Sequence, residues 1–318
     1  MILAAGKGSR MQPLTSLRAK PALPVLNRPL LHWTLERLAR HGVTEVVVNL
    51  HHLPESVTGV VGDGRAFGIR VVYSRERTIL GTGGGPRKVR LLLGDEPFLL
   101  VNGDMLFDFD LSRLVARHRE SGALATLALK PNPDVRVYRP IVTGRDGWVR
   151  WLPGMGRRRP GIPSLFTGIH VMEPALLARL SAGPADSVRD LYAPLIAEGG
   201  RILGVRVAGP WRDLGCPSLY LEAQVKHLSA GASARADRSL VDSSAHLGRG
   251  ARLERSVVGA GAVVGDGARV VGSVLWAGAR VGAGAVVRRT VVTDGGVVAA
   301  LESVSNRVVM SSGQCRLA

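Results

Sequence analysis

Up to about residue 228, hydrophobic and polar positions follow two alternating periods. Short apolar runs, typical of strands, are separated by longer stretches in which apolar residues recur three and four positions apart, as on one face of a helix. This succession predicts an α/β fold with a mostly parallel sheet covered by helices. The predicted strands are Met1–Ala5, Glu45–Leu50, Ile69–Ser74, Phe98–Asn102, Leu124–Leu129, Phe166–Met172 and Ile202–Val207, and the predicted helices are Leu30–His41, Pro86–Leu93, Leu111–Glu120, Pro174–Leu180 and Ser187–Glu198. Because crossovers between parallel strands are right-handed, the loops after the strands meet at the carboxyl edge of the sheet, where we expect a ligand site.

From residue 229 the chain changes to glycine, valine and small residues with a repeat of 17 positions. Four copies start at Ala230, Leu247, Val264 and Val281 and end at residue 297, with a tail to residue 318. An aliphatic residue recurs about every six positions, as in the hexapeptide repeat of left-handed parallel β-helices. We therefore predict two domains, 1–228 and 229–318. The positions in register are Gly231, Gly248, Gly265 and Gly282, then Ala234, Ala251, Ala268 and Ala285, then Ser239, Ser256, Ser273 and Thr290.

Each 17-residue copy is one short of three hexads, so it predicts one triangular coil with one side or corner a residue short. Aliphatic side chains would fill the prism, and small residues would allow its tight corners. A flexible linker does not explain valines that stay in register. Four coils cannot cap themselves, so we expect one end to pack on the other domain or on another subunit. This predicts a homo-oligomer formed through the β-helix.

Composition narrows the class of protein. The formal charge is +17, but only five basic residues are lysines and the arginines are scattered, which fits a GC-rich coding sequence better than a nucleic-acid partner. Cys216 and Cys315 lie far apart without CxxC spacing, which argues against a disulfide framework and a zinc site. No apolar run approaches the ~20 residues that span a bilayer, so no membrane partner is expected. We expect a cytoplasmic protein.

The stretch LAAGKGSRMQPLTSLRAKP, residues 3–21, carries the first chemical signal. Its spacing fits neither the P-loop nor the GxGxxG motif of dinucleotide folds. It follows the first predicted strand, where successive backbone N–H groups can surround an anion. Ser9 adds a hydroxyl, Arg10 a fork for two phosphate oxygens, and Lys20 a second cation. The loop therefore predicts phosphate binding.

Two carboxylates and a glycine run add to this signal. Asp104 in VNGDM and Asp213 in WRDLGCP each follow a predicted strand, and Mg²⁺ prefers one or two carboxylates together with substrate phosphates. The alternative for Asp104 is a cap of the next helix or turn. LGTGGGPRK, residues 80–88, opens a predicted helix with bare backbone that can approach a flat base, and its alternative is a flexible turn.

In this order, GxGSRMxPLT followed by Lys-Pro, LGTGGG, NGD, FTGI, WxDLG and a short β-helix resemble the sugar-1-phosphate nucleotidyltransferase family over nearly all of residues 1–297. The β-helix is similar to that of mannose-1-phosphate guanylyltransferases, whereas LGTGGG and FTGI are closer to N-acetylmuramate-1-phosphate uridylyltransferases. The resemblance implies a Rossmann-like three-layer domain followed by a left-handed β-helix. It also implies Mg²⁺-dependent transfer of a nucleotidyl group from a nucleoside triphosphate, GTP or UTP among them, to a sugar 1-phosphate.

The resemblance also implies the residue roles. Arg10 would grip the leaving pyrophosphate, Lys20 would stabilise phosphate charge, and Asp104 and Asp213 would hold Mg²⁺. The implied sugar-phosphate residues are Thr167 and Gly168, and the implied nucleotide-binding residues are Leu3, Ala4, Ala5, Gly6, Gly8, Ser9, Gly81, Thr82, Gly83, Gly84, Asn102 and Gly103.

Departures from the family pattern leave alternatives open. Many members carry an EKP-like segment where this chain has GWVRWLPGMGRRRPGIP, so an arginine at 157–159 is a candidate substitute for its lysine. Relatives usually have a few residues before the first strand, so a start upstream of Met1 is an open alternative. The sugar is also open, with N-acetylmuramate or glucose 1-phosphate as alternatives to mannose 1-phosphate. A non-catalytic regulatory paralogue that binds nucleotide sugar is a competing function. Acyl transfer by the β-helix would need a base, and His246 is the sole histidine of the repeats.

Overall fold

A computed structural model describes residues 1–132, 134, 138–228 and 237–317. The first residues of the predicted β-helix, 229–236, lie outside this range. The chain forms two compact units, one of Met1–Lys7 with Leu31–Trp211 and the other of Gly8–Leu30 with Arg212–Ala318. The predicted boundary at residue 228 divides the chain differently and stays a prediction.

Most predicted elements of the first 228 residues form close to their predicted bounds. The helices are α1 Leu14–Leu17, α2 Leu30–Arg40, α3 Pro54–Val61, α4 Gly81–Lys88, α5 Arg90–Leu93, α6 Leu111–Ser121, α7 Ala193–Ala197 and α8 Pro217–His227. The strands are β1 Ile2–Leu3, β2 Pro24–Val25, β3 Arg28–Pro29, β4 Glu45–Leu50, β5 Arg70–Arg75, β6 Phe98–Asn102, β7 Met105–Phe107, β8 Ala125–Pro131, β9 Ile141–Thr143, β10 Val149–Trp151, β11 Ile162–Met172, β12 Ile202–Arg206 and β13 Trp211–Asp213.

Two predicted helices form with a different pitch. Pro174–Arg179 is a 3₁₀ helix. The helix predicted over Ser187–Glu198 is a π-helical turn, Ser187–Tyr192, followed by α7. Pro194 lies in this stretch and has no backbone N–H to donate, so the regular hydrogen-bond ladder cannot run through it.

The first unit is built on a sheet in which, among the described residues, nine strands take part. Strands β5, β4, β1 and β6 lie side by side and are parallel, with Ile2 opposite Val48 on one side and Val101 on the other. Strand β11 continues the sheet antiparallel to β6 and also pairs with β8 and β9. The predicted parallel centre is confirmed. Because β1 and β6 are neighbours, the residues that follow them lie together at the carboxyl edge.

The core of this unit lies between the sheet and the segments after residue 174. Alternate residues of β8 (Ala125, Leu127 and Leu129) pack with Leu191 and Tyr192, and all five are buried. Within this core the His170 ring hydrogen-bonds through Nδ1 with the Tyr192 hydroxyl at 2.8 Å. Burial lowers the pKa of His170 to about 3, so its ring is neutral at physiological pH.

The 17-residue repeat forms a stack of parallel coils in the second unit. On one face the register runs from Leu240 to Val257, Val274, Val291 and Val308, each 17 residues further along the chain. The strands are β14 Leu240–Val241, β15 His246–Leu247, β16 Arg252–Glu254, β17 Val257–Val258, β18 Val263–Val264, β19 Arg269–Val271, β20 Val274–Leu275, β21 Arg280–Val281, β22 Val286–Arg288, β23 Val291–Val292, β24 Val297–Val298, β25 Ser303–Ser305, β26 Arg307–Met310 and β27 Gly313–Arg316. The repeat thus continues past residue 297, into the predicted tail.

The hydroxyl positions of the repeat form a buried ladder. The Oγ atoms of Ser239, Ser256 and Ser273 accept the backbone N–H of Ser256, Ser273 and Thr290 respectively, at 3.1, 3.2 and 3.1 Å. Each hydroxyl therefore satisfies a donor of the next coil that would otherwise be buried without a partner. Strand β27 turns back and pairs antiparallel with β26, so the chain itself covers the last coil on one face.

Candidate functional site

The first predicted loop and the NGD motif meet at the carboxyl edge of the first unit. The backbone N–H of Gly103 donates to the carbonyl oxygen of Leu3 at 2.9 Å. A Cβ atom on Gly103 would stand 2.9 Å from that oxygen, too close for any other residue. Ala4 and Ala5 are buried, whereas Gly6 is exposed and a Cβ there would touch nothing within 4 Å. Space next to Gly6 is therefore open to a ligand.

The FTGI motif contacts the NGD motif in the same place. Gly168 has a φ of +78°, and a Cβ on it would lie 2.6 Å from Asn102 Nδ2. Thr167 is buried, and its hydroxyl donates to the carbonyl oxygen of Ala128 at 2.9 Å. Its own carbonyl oxygen accepts the indole N–H of Trp211 at 3.1 Å. Thr167 therefore fixes the backbone that presents Gly168 to Asn102.

The glycine run forms helix α4, which begins at Gly81, five residues before the predicted helix start at Pro86. Glycine is a poor helix former, so tertiary contacts decide this helix. The N–H of Gly83 donates to the Ala185 carbonyl oxygen at 2.8 Å, and a Cβ on Gly84 would lie 2.3 Å from the Gly183 carbonyl oxygen. The Thr82 hydroxyl accepts the N–H of Ser187 at 2.8 Å. Residues 183–187 pack so closely against helix α4 that Gly84 has no room for a side chain.

Two polar residues that the sequence analysis missed connect the first loop to the glycine helix. Asn49 Oδ1 accepts the N–H of Ala4 at 2.7 Å, and Asn49 Nδ2 donates to Glu76 Oε1 at 2.8 Å. Glu76 Oε2 accepts the N–H of Leu80 at 2.9 Å, just before α4. Both side chains are buried. The signal in the sequence is a polar residue, Asn49, inside an otherwise apolar strand.

Asp104 lies in the tight turn between β6 and β7, directly beyond Gly103, and is partly exposed. A carboxylate placed here suits Mg²⁺, which takes one or two carboxylates together with phosphate oxygens. Among the residues that the structure describes, no group of three or more His, Cys, Asp or Glu side chains is placed to hold a metal. A magnesium site completed by substrate phosphates does not need such a group.

The second unit carries the remaining predicted phosphate residues. Gly8 is left-handed, with φ +61°, and its carbonyl oxygen accepts the Thr15 hydroxyl and the Met11 N–H, both at 2.8 Å. Ser9 and Arg10 follow in an exposed 3₁₀ turn. A Cβ on Gly8 would lie 3.6 Å from the Cβ of Lys20. Lys20 is buried, with 6% of its surface exposed. One short segment thus carries the exposed guanidinium of Arg10 and the buried side chain of Lys20.

Asp213 ends β13 in the second unit and is partly exposed. Gly215 leaves room beside it, because a Cβ at that position would lie 2.9 Å from Asp213 Oδ2. In the first unit, Arg157, Arg158 and Arg159 are all exposed. They remain candidates for a sugar-phosphate contact.

None of the helices described is both long and apolar enough to cross a membrane.

Comparison with known proteins identifies both parts of the chain. The family model for nucleotidyl transferase matches residues 1–230, and the model for the GlmU-like C-terminal hexapeptide matches residues 222–307. A solved structure described as a glucose-1-phosphate thymidylyltransferase of Bacillus anthracis superposes with a TM-score of 0.60 at 19% identity, over 71% of this chain and 93% of that one. This likeness shows the Rossmann-like fold, and the hexapeptide match identifies the prism as a left-handed β-helix.

Curated relatives agree with the family match. An N-acetylmuramate α-1-phosphate uridylyltransferase of Neisseria meningitidis is 37% identical over 70% of this chain and 96% of its own length. A UTP–glucose-1-phosphate uridylyltransferase of Synechocystis and a mannose-1-phosphate guanylyltransferase of Mycobacterium tuberculosis are each 33% identical over 70% of this chain. The matches span 61% and 62% of those two relatives. The chain belongs to the nucleotidyl transferase family, among the sugar-1-phosphate nucleotidyltransferases.

Proposed function

We propose that this protein transfers a nucleoside monophosphate group from a nucleoside triphosphate to a sugar 1-phosphate. A phosphate oxygen of the sugar 1-phosphate attacks the α-phosphorus in line. The bond between the α-phosphorus and the bridging oxygen to the β-phosphate breaks, and pyrophosphate leaves with that oxygen. The products are a nucleoside diphosphate sugar and pyrophosphate. The observation that carries the proposal is the convergence of three motifs at one sheet edge, through Leu3 with Gly103 and Asn102 with Gly168.

Positioning and charge account for the chemistry, since phosphoryl transfer needs little else from a protein. The backbone from Leu3 to Gly6 and helix α4 would hold the base, because the Asn49 and Glu76 hydrogen bonds connect the two. Arg10 would bind the departing pyrophosphate by its fork, and Lys20 would neutralise phosphate charge. Gly168, beside Asn102, would face the sugar phosphate.

Asp104 and Asp213 are the residues that would hold Mg²⁺. The ion would neutralise charge on the phosphates and help to orient them when bound. The second carboxylate has room on one side because residue 215 is glycine.

For the substrate we propose mannose 1-phosphate with GTP, because the β-helix resembles that of mannose-1-phosphate guanylyltransferases and one such enzyme is 33% identical over 70% of this chain. A uridylyl transfer to N-acetylmuramate or glucose 1-phosphate is the second candidate. It is favoured by the 37% identity to the Neisseria relative, which this chain covers almost completely.

We also propose a homo-oligomer formed through the β-helix, and light scattering coupled to gel filtration tests it. The cytoplasmic location stays a prediction.

The test is pyrophosphate release with Mg²⁺, GTP, UTP, dTTP or ATP, and each of four sugar phosphates: mannose, glucose, N-acetylglucosamine and N-acetylmuramate 1-phosphate. Asp104→Asn should lower turnover at least about 100-fold, since it removes a carboxylate from the proposed metal site. The matched control is Asp108→Asn, four residues on, which is exposed and paired with Arg37 at 2.6 Å. It should keep near-normal turnover. No pyrophosphate from any pair would favour a regulatory protein that binds nucleotide sugar, and a fully active Asp104→Asn would refute the metal assignment.

A further inference from the structure

One coil of the β-helix departs from the repeat at a corner. Counting in steps of 17, the corner position holds Asp242, Gly259, Trp276, Thr293 and Met310. Trp276 is 1% exposed, and its indole N–H donates to the Tyr220 hydroxyl of helix α8 at 2.9 Å. Tyr220 in turn donates to the carbonyl oxygen of Pro24. Trp276 is the one aromatic residue at this position, and it contacts structure outside the prism.

Trp276 contacts the segment of residues 8–30, which carries Arg10 and Lys20. Arg18 Nη2 lies 2.5 Å from Asp294 Oδ2, and the guanidinium carbon lies 5.5 Å from the centre of the Trp276 ring. Asn27 Nδ2 donates to the carbonyl oxygen of Val258 at 2.8 Å. Val258, Trp276 and Asp294 belong to three successive coils, so the segment spans one edge of the prism.

The segment has little regular structure of its own. It contains two 3₁₀ turns, the four-residue helix α1, and the antiparallel strands β2 and β3 of two residues each. Such short elements are not stable alone, so the positions of Arg10 and Lys20 depend on what the segment packs against. Arg18 lies between the two, two residues before Lys20, and is one of the residues through which the prism edge contacts this segment.

We infer that Arg18, Trp276 and Asp294 are positioning residues for nucleotidyl transfer, and that the β-helix holds the phosphate-binding segment in place. The inference rests on the proposed function. A displacement of about 1 Å in a catalytic group can cost on the order of 100-fold in rate, so a weakened anchor should lower kcat more than it weakens substrate binding. The Arg18 and Asp294 side chains are 33% and 35% exposed, so their loss should leave global stability little changed.

The test compares Asp294→Ala with Asp266→Ala. Asp266 is an exposed acidic residue of an adjacent coil whose Oδ1 accepts the N–H of Arg249 at 2.8 Å, a contact within the β-helix itself. We expect kcat to fall about 10-fold in Asp294→Ala, with a smaller change in KM for the triphosphate, and to stay within about 2-fold of wild type in the control. Asp294→Glu should recover most of the loss. Wild-type kcat in both Asp294→Ala and Arg18→Ala would overturn the inference.

A second measurement does not depend on activity. Amide hydrogen exchange in residues 8–30 reports the order of the segment, through the N–H groups of Met11, Ser16 and Ala22 that donate to Gly8, Pro13 and Ala19. Exchange there should rise about 10-fold in Asp294→Ala and not in Asp266→Ala. Faster exchange in a protein without turnover would support the anchor while refuting the proposed function. Unchanged exchange would refute the anchor itself.

Discussion

Replacing a glycine by alanine should lower the stability of the protein in helix α4 but raise it in helix α3. In Gly84→Ala the new Cβ would stand 2.3 Å from the Gly183 carbonyl oxygen and 3.2 Å from the Ala185 nitrogen, both backbone atoms. Overpacking of this kind costs about 1–3 kcal/mol. Alanine returns about 0.8–1.0 kcal/mol through its better helix propensity, which leaves a net loss of about 0–2 kcal/mol.

The matched control is Gly59→Ala in helix α3, where a Cβ would meet nothing within 4 Å. Here only the propensity term acts, and the variant should gain about 0.5–1 kcal/mol. For a unit of this size 1 kcal/mol moves Tm by about 2–4 °C, so scanning calorimetry should show Gly84→Ala below wild type and Gly59→Ala above it. If both variants shift Tm in the same direction, the close contact of α4 with residues 183–185 does not govern its stability. Gly84→Ala should also raise KM for the triphosphate, because helix α4 must move.

Two further predictions concern buried polar groups of the first unit. Glu76→Ala should lower the free energy of unfolding by about 2–4 kcal/mol, because the Asn49 amide and the Leu80 N–H lose a charged acceptor. Glu76→Gln should lose less, and urea unfolding of the two variants measures the difference. His170 is neutral in the folded protein down to a pKa of about 3, while the unfolded chain takes up a proton below about 6.5, so acid favours unfolding in this window. His170→Gln should flatten the fall in stability between pH 6.5 and pH 4.5 by up to about 1.4 kcal/mol per pH unit, as measured by urea unfolding at a series of pH values.

Continuous apolar runs made the central strands predictable. Glu45–Leu50 and Phe98–Asn102 form with the predicted bounds, since strands buried on both faces leave a mostly apolar run. The eight residues of α3 mix glycine and β-branched residues and were missed. The start of α4 was also missed, because local propensity opposes a helix of glycines and only contacts with residues 183–187 stabilise it.

The chemical residues were predictable as types, but not the contacts between them. Asp104 stands out in the sequence as a carboxylate directly after an apolar strand, and Arg10 and Lys20 stand out as cations in the loop after the first strand. The Asn49 and Glu76 pair is different, because it depends on which strands are adjacent. Strand β4 has to pair with β5 and lie beside β1 before the two side chains can join Ala4 to Leu80. The pattern of apolar and polar residues along the chain does not specify the order of these strands in the sheet.

The β-helix shows how a repeat can point to its own contacts. Positions that face the interior, such as Val258 and Leu275, repeat closely because each coil must fill the same space, and the buried hydroxyls repeat because each satisfies the next coil. The corner position of Trp276 holds a different residue in each coil, so a large residue there needs another explanation. Trp276 is 1% exposed and is contacted by Tyr220 of helix α8 and by Arg18 of residues 8–30. An aromatic residue at a corner of a hexapeptide β-helix therefore indicates where the prism packs against another part of the chain or a partner. In this protein, that corner holds the segment with Arg10 and Lys20.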